Sequence, residues 1–420
     1  MFSRFALARL VHVFFRFSRF ILFNTYRRRS CSSTRAAEVE DHMTKILFVD
    51  DQDNVLSALR RMLHGRRDRW DMDFASGGEE AIQKLEQKPF DVVVTDMRMP
   101  GIDGAELLSR ARDRWPSIVR IVLSGQSEPD RILRSMATTH IYLTKPCDAL
   151  RLTTVVSQSS VLRNRLPDAG IKRIVSQMGA APCQAPVYEQ LLHELSDPYP
   201  SIERLGSLIA SDIGMTAKIL QLVSSSFFGQ PQRVSTPEQA ASLLGVNLLR
   251  ELVLSAGIFQ PVDFADIEGF SLEELNRHSR EVAECARMIA ELETSDQRTI
   301  DDAWLAGMLH DIGKIVLASS MPGSYQEAVR LAQLEGKSLW AAEREVFGTS
   351  HAEVGSYLLS LWGLPSPICE AVGSFRSHRT YESDGNFMPV TAVHVANVLR
   401  RKNVLPKCIT NPISPPHFDG

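Results

Sequence analysis

The chain has 420 residues, of which 44% are hydrophobic and 23% charged, and its formal net charge is −3. Because single domains usually span roughly 100–200 residues, this length allows two or three domains with hydrophobic cores. The composition is that of an ordinary globular protein, and it gives no support for a nucleic-acid-binding protein, which usually carries a basic domain or patch.

Residues 1–42 differ in composition from the rest of the chain. Residues 1–37 carry eight Arg and no acidic residue, whereas the chain without residues 1–42 has 39 basic and 47 acidic residues, a net charge of −8. Arg16 and Arg19 interrupt the apolar stretch, so we expect no membrane span. Three interpretations remain open: upstream sequence ahead of a natural start at Met43 (hence disordered or mis-annotated), a membrane-surface helix, or a targeting peptide.

The cysteines indicate a reducing compartment, and we expect a cytoplasmic protein. They are scattered and form no CxxC pair, so no cysteine-based metal site is expected. Buried small hydrophobic side chains are the simplest interpretation. The six are Cys31, Cys147, Cys183, Cys285, Cys369 and Cys408.

From Lys45 to about Ser157, strand-like and helix-like segments alternate. The strand-like runs are KILFV, MDFA, VVVTD, IVRIVLSG and IYLTKP, and each is followed by an amphipathic segment. Strands that alternate with helices predict a parallel sheet covered on both faces. We therefore predict an α/β domain at residues 43–157.

Charged residues stand at the ends of three of these predicted strands. Asp50 and Asp51 follow KILFV, Asp96 ends VVVTD, and Lys145 ends the apolar run of IYLTKP. Because ligands bind at the carboxyl ends of parallel strands, these side chains should converge. Carboxylates and an ammonium group suit a divalent cation and a phosphoryl group, so Asp96 is interpreted as a phospho-acceptor.

This pattern resembles the receiver domain of bacterial two-component response regulators, which has a flavodoxin-like, doubly wound (βα)5 fold. The resemblance implies that Asp50, Asp51 and Asp96 hold Mg²⁺ and that Asp96 is phosphorylated. It also implies that Asp96, Ser124 and Lys145 are the catalytic residues and that Lys145 contacts phosphoryl oxygens.

Two further positions match the switch residues of that family. The resemblance implies that the Ser124 hydroxyl binds the phosphoryl group once Asp96 is modified. Tyr142 occupies the switch-aromatic position, although a core aromatic is an equally good interpretation of this residue alone. The peptide bond between Lys145 and Pro146 is expected to be cis.

The remainder of the chain shows a different pattern. Residues 158–182 read as a linker with breaks at proline and glycine. Helical periodicity extends through residues 183–402, as in VYEQLLHEL and HSREVAECARMIAEL, and predicts an all-α domain of about ten or more helices. Residues 403–420 contain several prolines and are predicted to be a disordered tail.

Histidine and aspartate residues in the helical region suggest a metal site. His278, the adjacent pair His310 and Asp311, and His351 are the types of ligand that bind Fe, Mn or Zn. HD-type phosphohydrolases arrange such residues around one or two metals that activate water against a phosphodiester. A cyclic-nucleotide phosphodiesterase is therefore one reading of these residues.

The region from 174 to 400 more closely resembles the HDOD domain, an HD-related signalling domain, through SDIGMTAKILQLVSSSFFG and AASLLGVNLLRELVL. Phe375 and Arg376 occupy the positions at which hydrolytic relatives have two histidines, and Asn397 occupies the position at which they have an aspartate. His394, one helical turn before Asn397, could face the same way. The site therefore looks degenerate. A hydrogen-bonded relic, a catalytically idle transition metal and a working hydrolase all remain open.

Together these features predict a response regulator of a phosphorelay. A sensor histidine kinase would phosphorylate Asp96, and the HDOD domain would bind another signalling protein or form a homodimer. The alternatives are a phosphorylation-gated, metal-dependent phosphodiesterase and a scaffold whose receiver is a phosphate sink. The degenerate site favours a non-enzymatic output, and no basic recognition helix of a DNA-binding output follows the receiver.

Overall fold

The computed structural model describes residues 43–125, 135, 138–166, 168–224, 234–264, 267–376 and 387–401. The predictions for residues 1–42 and 403–420 therefore lie outside the described residues. So does most of the helix predicted after the fourth strand, and for Ser124 only the backbone is described. None of the described helices is both long and apolar enough to cross a lipid bilayer.

The N-terminal domain is a five-stranded parallel sheet in the order β2-β1-β3-β4-β5. Its strands are β1 (Thr44–Val49), β2 (Trp70–Ala75), β3 (Val92–Asp96), β4 (Val119–Ser124) and β5 (Ile141–Thr144). The described helices of this domain are α1 (Asp53–Met62), α2 (Gly78–Gln87), α3 (Gly104–Arg114) and α4 (Ala149–Arg165), and a short 3₁₀ helix spans His64–Arg66. The flavodoxin-like α/β prediction is confirmed.

The strand order places the candidate site at the sheet's switch point. All five residues of β3 are buried, as its β-branched apolar run predicts for a central strand. The strand order reverses between β1 and β3, which pair in parallel with Val49 opposite Thr95. The crevice outside the carboxyl ends of these two strands is where ligands bind in open α/β sheets.

The C-terminal region is a multi-helical domain, as predicted, but it is not purely helical. A two-stranded parallel sheet joins β6 (Ala181–Gln184) to β7 (Phe259–Val262). Both strands have four residues and contain proline, so neither gives the alternating pattern by which a strand is recognised.

One described helix of this domain precedes these two strands, and the others lie between or after them. They are α6 (Ala185–Ser196), α7 (Ile202–Ala210), α8 (Ile213–Ser224), α9 (Pro237–Leu254, kinked at Gly245), α10 (Leu272–Glu293), α11 (Gln297–Leu309), α12 (Ile312–Ser320), α13 (Pro322–Glu335), α14 (Leu339–Phe347), α15 (His351–Leu361), α16 (Ser366–Ser374) and α17 (Pro389–Arg401).

A helix occupies part of the segment that the sequence predicts as linker. Helix α5 (Ala169–Gln177) begins after Asp168, whose carboxylate accepts a hydrogen bond from the Ile171 N–H at 2.8 Å. It buries Ile171 and Val175. This amphipathic helix of nine residues is too short to stand out between the breaks at proline and glycine that surround it.

Helices α12 and α15 approach each other closely at Gly313. A Cβ atom added at Gly313 would lie 1.9 Å from the His351 carbonyl oxygen, and Gly355 on α15 faces the same contact. Only glycine allows the two backbones this distance, since real Cβ atoms do not approach backbone oxygen so closely. The contact fixes the start of α15 against the start of α12.

We predict that Gly313→Ala destabilises the protein. The added methyl group would force the two helices apart, and overpacking of this kind costs about 1–3 kcal/mol. Denaturant unfolding monitored by circular dichroism measures the change. Gly323→Ala, in the first turn of α13 with no atom near the added Cβ, is the matched control and should change stability by less than about 1 kcal/mol. Equal stabilities of the two variants would contradict the packing argument.

Candidate functional site

The receiver site brings together the residues that end three strands. Asp50 directly follows β1 and is 1% exposed, and Asp96 ends β3 and is 8% exposed. Lys145, directly after β5, donates from Nζ to Asp50 Oδ2 at 2.7 Å and to Asp96 Oδ1. The predicted convergence of two carboxylates and one ammonium group is therefore present.

Backbone groups hold the other carboxylate oxygens. The Gln52 N–H donates to Asp50 Oδ1 at 3.0 Å, and the Arg98 N–H donates to Asp96 Oδ2 at 2.8 Å. Each carboxylate is thus fixed by one backbone donor and by Lys145. Charge-assisted hydrogen bonds of this kind orient a carboxylate strongly, because both of its oxygens are engaged.

The charge state of Lys145 follows from these contacts. Burial, the largest single influence, would lower the pKa of Lys145, but the hydrogen bonds to Asp50 and Asp96 outweigh it and raise that pKa. Lys145 is therefore a fixed positive charge at physiological pH. Its peptide bond to Pro146 is cis, as the family resemblance implies.

Asp51 lies beside this pair and is exposed. Hard carboxylate oxygens at the rim of a sheet are the donors that Mg²⁺ prefers, so the chemistry of Asp50, Asp51 and Asp96 fits this ion. The ligand role of Asp51 stays a prediction.

The two switch positions are placed differently. Ser124 ends β4 opposite Thr144 of β5, at the same edge of the sheet as Asp96; its side chain lies outside the described residues. Tyr142 is 5% exposed, and its hydroxyl lies 2.8 Å from Ser135 Oγ. Burial raises the pKa of Tyr142, so it stays protonated and can donate.

In the helical domain, Asp311 lies at the centre of a histidine cluster. Asp311 Oδ2 lies 3.3 Å from His310 Nε2 and 3.9 Å from His278 Nε2, and Asp311 Oδ1 lies 3.3 Å from His351 Nε2. His278 projects from α10, His310 and Asp311 connect α11 to α12, and His351 begins α15. All four residues predicted from the sequence are therefore brought together.

The hydrogen bonds of two histidines fix which ring nitrogen faces Asp311. His310 Nδ1 donates to the Gly307 carbonyl at 2.7 Å, and His351 Nδ1 donates to Glu343 Oε2 at 2.5 Å. The buried Nε2 atoms of both rings, and Asp311 Oδ1, have no hydrogen-bond partner among the described residues. Metal-binding histidines are held in this way, with one ring nitrogen donating to a carbonyl or carboxylate and the other left for the ion.

Charges nearby compensate Asp311 in part. Lys314 Nζ donates to Asp311 Oδ2 at 2.6 Å. Burial alone would raise the pKa of Asp311, but its contacts with His310 and Lys314 hold it well below its ordinary value. Burial, the largest influence, lowers the pKa of His278 to about 3, so this ring is neutral at physiological pH.

The positions that depart from hydrolytic relatives close one side of this cluster. Phe375 packs edge-on against His310, with ring centroids 5.1 Å apart, and lies 6.4 Å from His351. His394 turns aside and donates from Nδ1 to the Phe375 carbonyl, and Asn397 is buried with its Oδ1 unpaired among the described residues. The donors fit a single transition-metal ion, and hydrocarbon fills the space beside it.

Sequence reasoning missed two residues of this cluster. Lys314 carries a signal, because a lysine three residues after Asp311 on a helix must lie next to it. Glu343 is fully buried and orients His351, but it belongs to another helix, α14. Nothing in the local pattern around Glu343 distinguishes it from a surface glutamate.

Comparisons with known proteins identify both domains. The family model of the response regulator receiver domain matches residues 46–157, and that of the HDOD domain matches residues 181–377. Among solved structures, the MmoQ response regulator from Methylococcus capsulatus is 24% identical, with a TM-score of 0.45 over 56% of this chain and 90% of that one. An HDOD domain protein of unknown function from Geobacter sulfurreducens is 25% identical, with a TM-score of 0.31 over 60% and 80%.

Curated relatives match mainly over shorter stretches. The hydrogenase transcriptional regulatory protein HoxA of Cupriavidus necator is 35% identical over 123 residues, and the chain spans 25% of its length. The alkaline phosphatase synthesis transcriptional regulatory protein PhoP of Bacillus subtilis is 28% identical over 219 residues, which are 50% of this chain and 78% of PhoP. The two matched domain families, together with the five-stranded parallel sheet, show that the chain belongs to the response regulators, with a receiver domain followed by an HDOD output domain.

Proposed function

We propose that the protein accepts a phosphoryl group on Asp96 and that the HDOD domain transmits the change by binding a partner protein. The observation that carries this proposal is the contact of Lys145 with both Asp50 and Asp96 at one edge of the sheet. A carboxylate that is buried, fixed by backbone and beside a permanent positive charge has the environment of a phospho-acceptor. The donor would be the phosphohistidine of a sensor histidine kinase.

The chemistry is a transfer between two nucleophiles. An oxygen of Asp96 forms a bond to phosphorus as the bond from phosphorus to the donor nitrogen breaks, and the departing imidazole takes up a proton. Lys145 contacts the phosphoryl oxygens and stabilises their negative charge. A Mg²⁺ ion held by Asp50, Asp51 and Asp96 would reduce the repulsion between the anionic donor and acceptor.

The HDOD domain is proposed to bind a protein rather than to hydrolyse a phosphodiester. His310, Asp311 and His351 are each fully buried, and Phe375 covers two of these imidazoles. A hydrolase needs an open coordination position that substrate can reach. A sealed cluster favours a structural role within a signalling domain.

We predict that incubation with acetyl phosphate and Mg²⁺ adds one acid-labile phosphate per chain and that Asp96→Asn adds none. The amide is a poor nucleophile and cannot form the acyl phosphate. Intact-mass spectrometry with and without acid treatment measures the product. Asp68→Asn, an exposed aspartate whose side chain is 69% exposed, is the matched control and should be phosphorylated normally. Phosphate on the Asp96→Asn protein would contradict the assignment.

A phosphorylation-gated phosphodiesterase is the second candidate, favoured only by the unpaired Nε2 atoms of His310 and His351. We predict that protein purified without chelator holds at most one transition-metal ion per chain, because the described residues offer one set of ligands. His310→Ala should remove that ion, whereas His193→Ala, an exposed histidine on α6, should not.

Elemental analysis measures the metal content of these proteins. Two ions per chain, together with turnover of a cyclic dinucleotide, would favour the phosphodiesterase over a binding domain.

A further inference from the structure

A buried arginine at the boundary of the two domains has no carboxylate partner among the described residues. Arg120, the second residue of β4, is 1% exposed, and none of the described acidic side chains lies within ion-pairing distance of it. Its Nε donates to the Thr138 carbonyl at 2.5 Å, and its Nη1 lies 3.2 Å from the carbonyls of Pro116 and Ile118. A buried cation of this kind depends on every carbonyl that it reaches.

The fourth carbonyl comes from outside the receiver. Arg120 Nη2 donates to the Ser176 carbonyl at 2.5 Å. Ser176 lies in the last turn of α5, where carbonyls lack partners within the helix and the helix dipole is negative. A guanidinium group at this end therefore gains both a hydrogen bond and a favourable dipole, and α5 is the only described element outside the receiver that supplies it with an acceptor.

His140 reinforces this contact in its neutral form. Its Nδ1 accepts a hydrogen bond from the Arg120 backbone N–H at 3.1 Å, so Nε2 carries the proton and donates to the same Ser176 carbonyl at 2.9 Å. Burial, and next the charge of Arg120, lower the pKa of His140 well below its ordinary value. Protonation would place a second cation within 2.8 Å of the guanidinium.

The same residues connect the receiver's switch position to the HDOD domain. The Tyr142 hydroxyl contacts Ser135 Oγ, and the Ser135 carbonyl accepts hydrogen bonds from Thr138, whose own carbonyl binds Arg120. On the other side of α5, Ser176 Oγ lies 3.3 Å from the Tyr357 hydroxyl on α15. Helix α15 is the helix that begins with His351.

Other contacts hold the HDOD domain against the same edge of the receiver. Gln221 Nε2 on α8 donates to the His140 carbonyl at 3.0 Å, and Gln158 on α4 donates to the Leu364 carbonyl at 3.1 Å. Lys218 on α8 is a further buried basic group, and burial lowers its pKa to about 7. Its Nζ donates to the Gly179 carbonyl and lies 5.1 Å from the centre of the Trp362 ring. The contact surface thus contains buried basic groups that donate to carbonyls.

We infer that Arg120, His140 and the Ser176 carbonyl form a clamp that docks α5, and with it the HDOD domain, on the receiver, and that phosphorylation of Asp96 releases it. The release rests on the proposed function. A movement of Tyr142 toward the modified Asp96 would disturb its contact with Ser135, and through Ser135 the Thr138 carbonyl that Arg120 binds. The clamp itself exists without phosphorylation.

Hydrogen exchange of the full-length protein, read on the amides of residues 169–177, tests the clamp. Arg120→Met should accelerate exchange of α5 at least about tenfold, while amides of β1 and β3 keep their protection and so show that the receiver is folded. Arg110→Met, an exposed arginine on α3 that pairs with Glu106, is the matched control. Unchanged protection of α5 in Arg120→Met would overturn the clamp.

Acidification of the unmodified protein tests the clamp without a mutation at Arg120. His140 binds a proton more weakly when docked than when released, where its pKa is near the ordinary 6.5. The contribution of His140 to docking is therefore fully present above that pH and is lost below it, by at most about tenfold per pH unit for one proton. Lys218, whose pKa burial lowers to about 7, is already protonated over most of that lower range. The charged groups that act on His140 are Arg120 and Lys218. His140→Gln should abolish this dependence, and its persistence in that variant would contradict the role of His140.

The release is tested by adding acetyl phosphate and Mg²⁺. Exchange of α5 should accelerate in the unmodified protein, remain unchanged in Asp96→Asn, and show no further acceleration in Arg120→Met. Phosphorylation of Asp96 without an effect on α5 would overturn the release and leave the proposed function standing. Failure of Asp96 to accept phosphate would overturn both the release and the proposed function. The comparison of unphosphorylated Arg120→Met with Arg110→Met would still decide the clamp.

Discussion

The receiver depends on one ammonium group shared by two buried carboxylates. Asp50 and Asp96 would repel each other at the end of the central strands, and burial would increase the cost of both charges. Lys145 offsets that repulsion and positions Asp96 at the mouth of the crevice. The two carboxylates and Lys145 leave one net negative charge, and a doubly charged phosphoryl group at Asp96 would add another. A site of this kind responds to one covalent event with a redistribution of its hydrogen bonds.

The histidine–aspartate cluster uses similar groups in a different environment. Asp311 is surrounded by imidazoles and Lys314, and of these side chains those of His278 and Lys314 are partly exposed. Asp311 itself has no exposed surface, whereas Asp96 keeps 8% and lies at the same edge of the sheet as the exposed Asp51. Access, more than the identity of the side chains, therefore separates the two sites. The same difference explains why an HD-like core can persist in a domain that transmits signals.

The convergence of Asp50, Asp96 and Lys145 could be predicted because the carboxyl ends of parallel strands share an edge. The three histidines around Asp311 could be predicted because the family pattern marks them. The contacts of Arg120 could not. Its position in β4 resembles that of any polar residue near the start of a strand, and its contact with the Ser176 carbonyl joins it to a helix 56 residues further along the chain. Glu343 and the β6–β7 pair depend in the same way on segments distant in sequence.

The position of Ser176 has a consequence for how this receiver can be isolated. The matched receiver domain ends at residue 157, well before α5. A fragment cut there would expose Arg120 and His140 to solvent on one side and would lose the carbonyl that both of them bind. Without the HDOD domain, this receiver is expected to differ from the intact protein in β4, which contains Arg120, and in β5, which contains Tyr142. A chimera that joins this receiver to another effector domain would have the same defect unless it also contained α5.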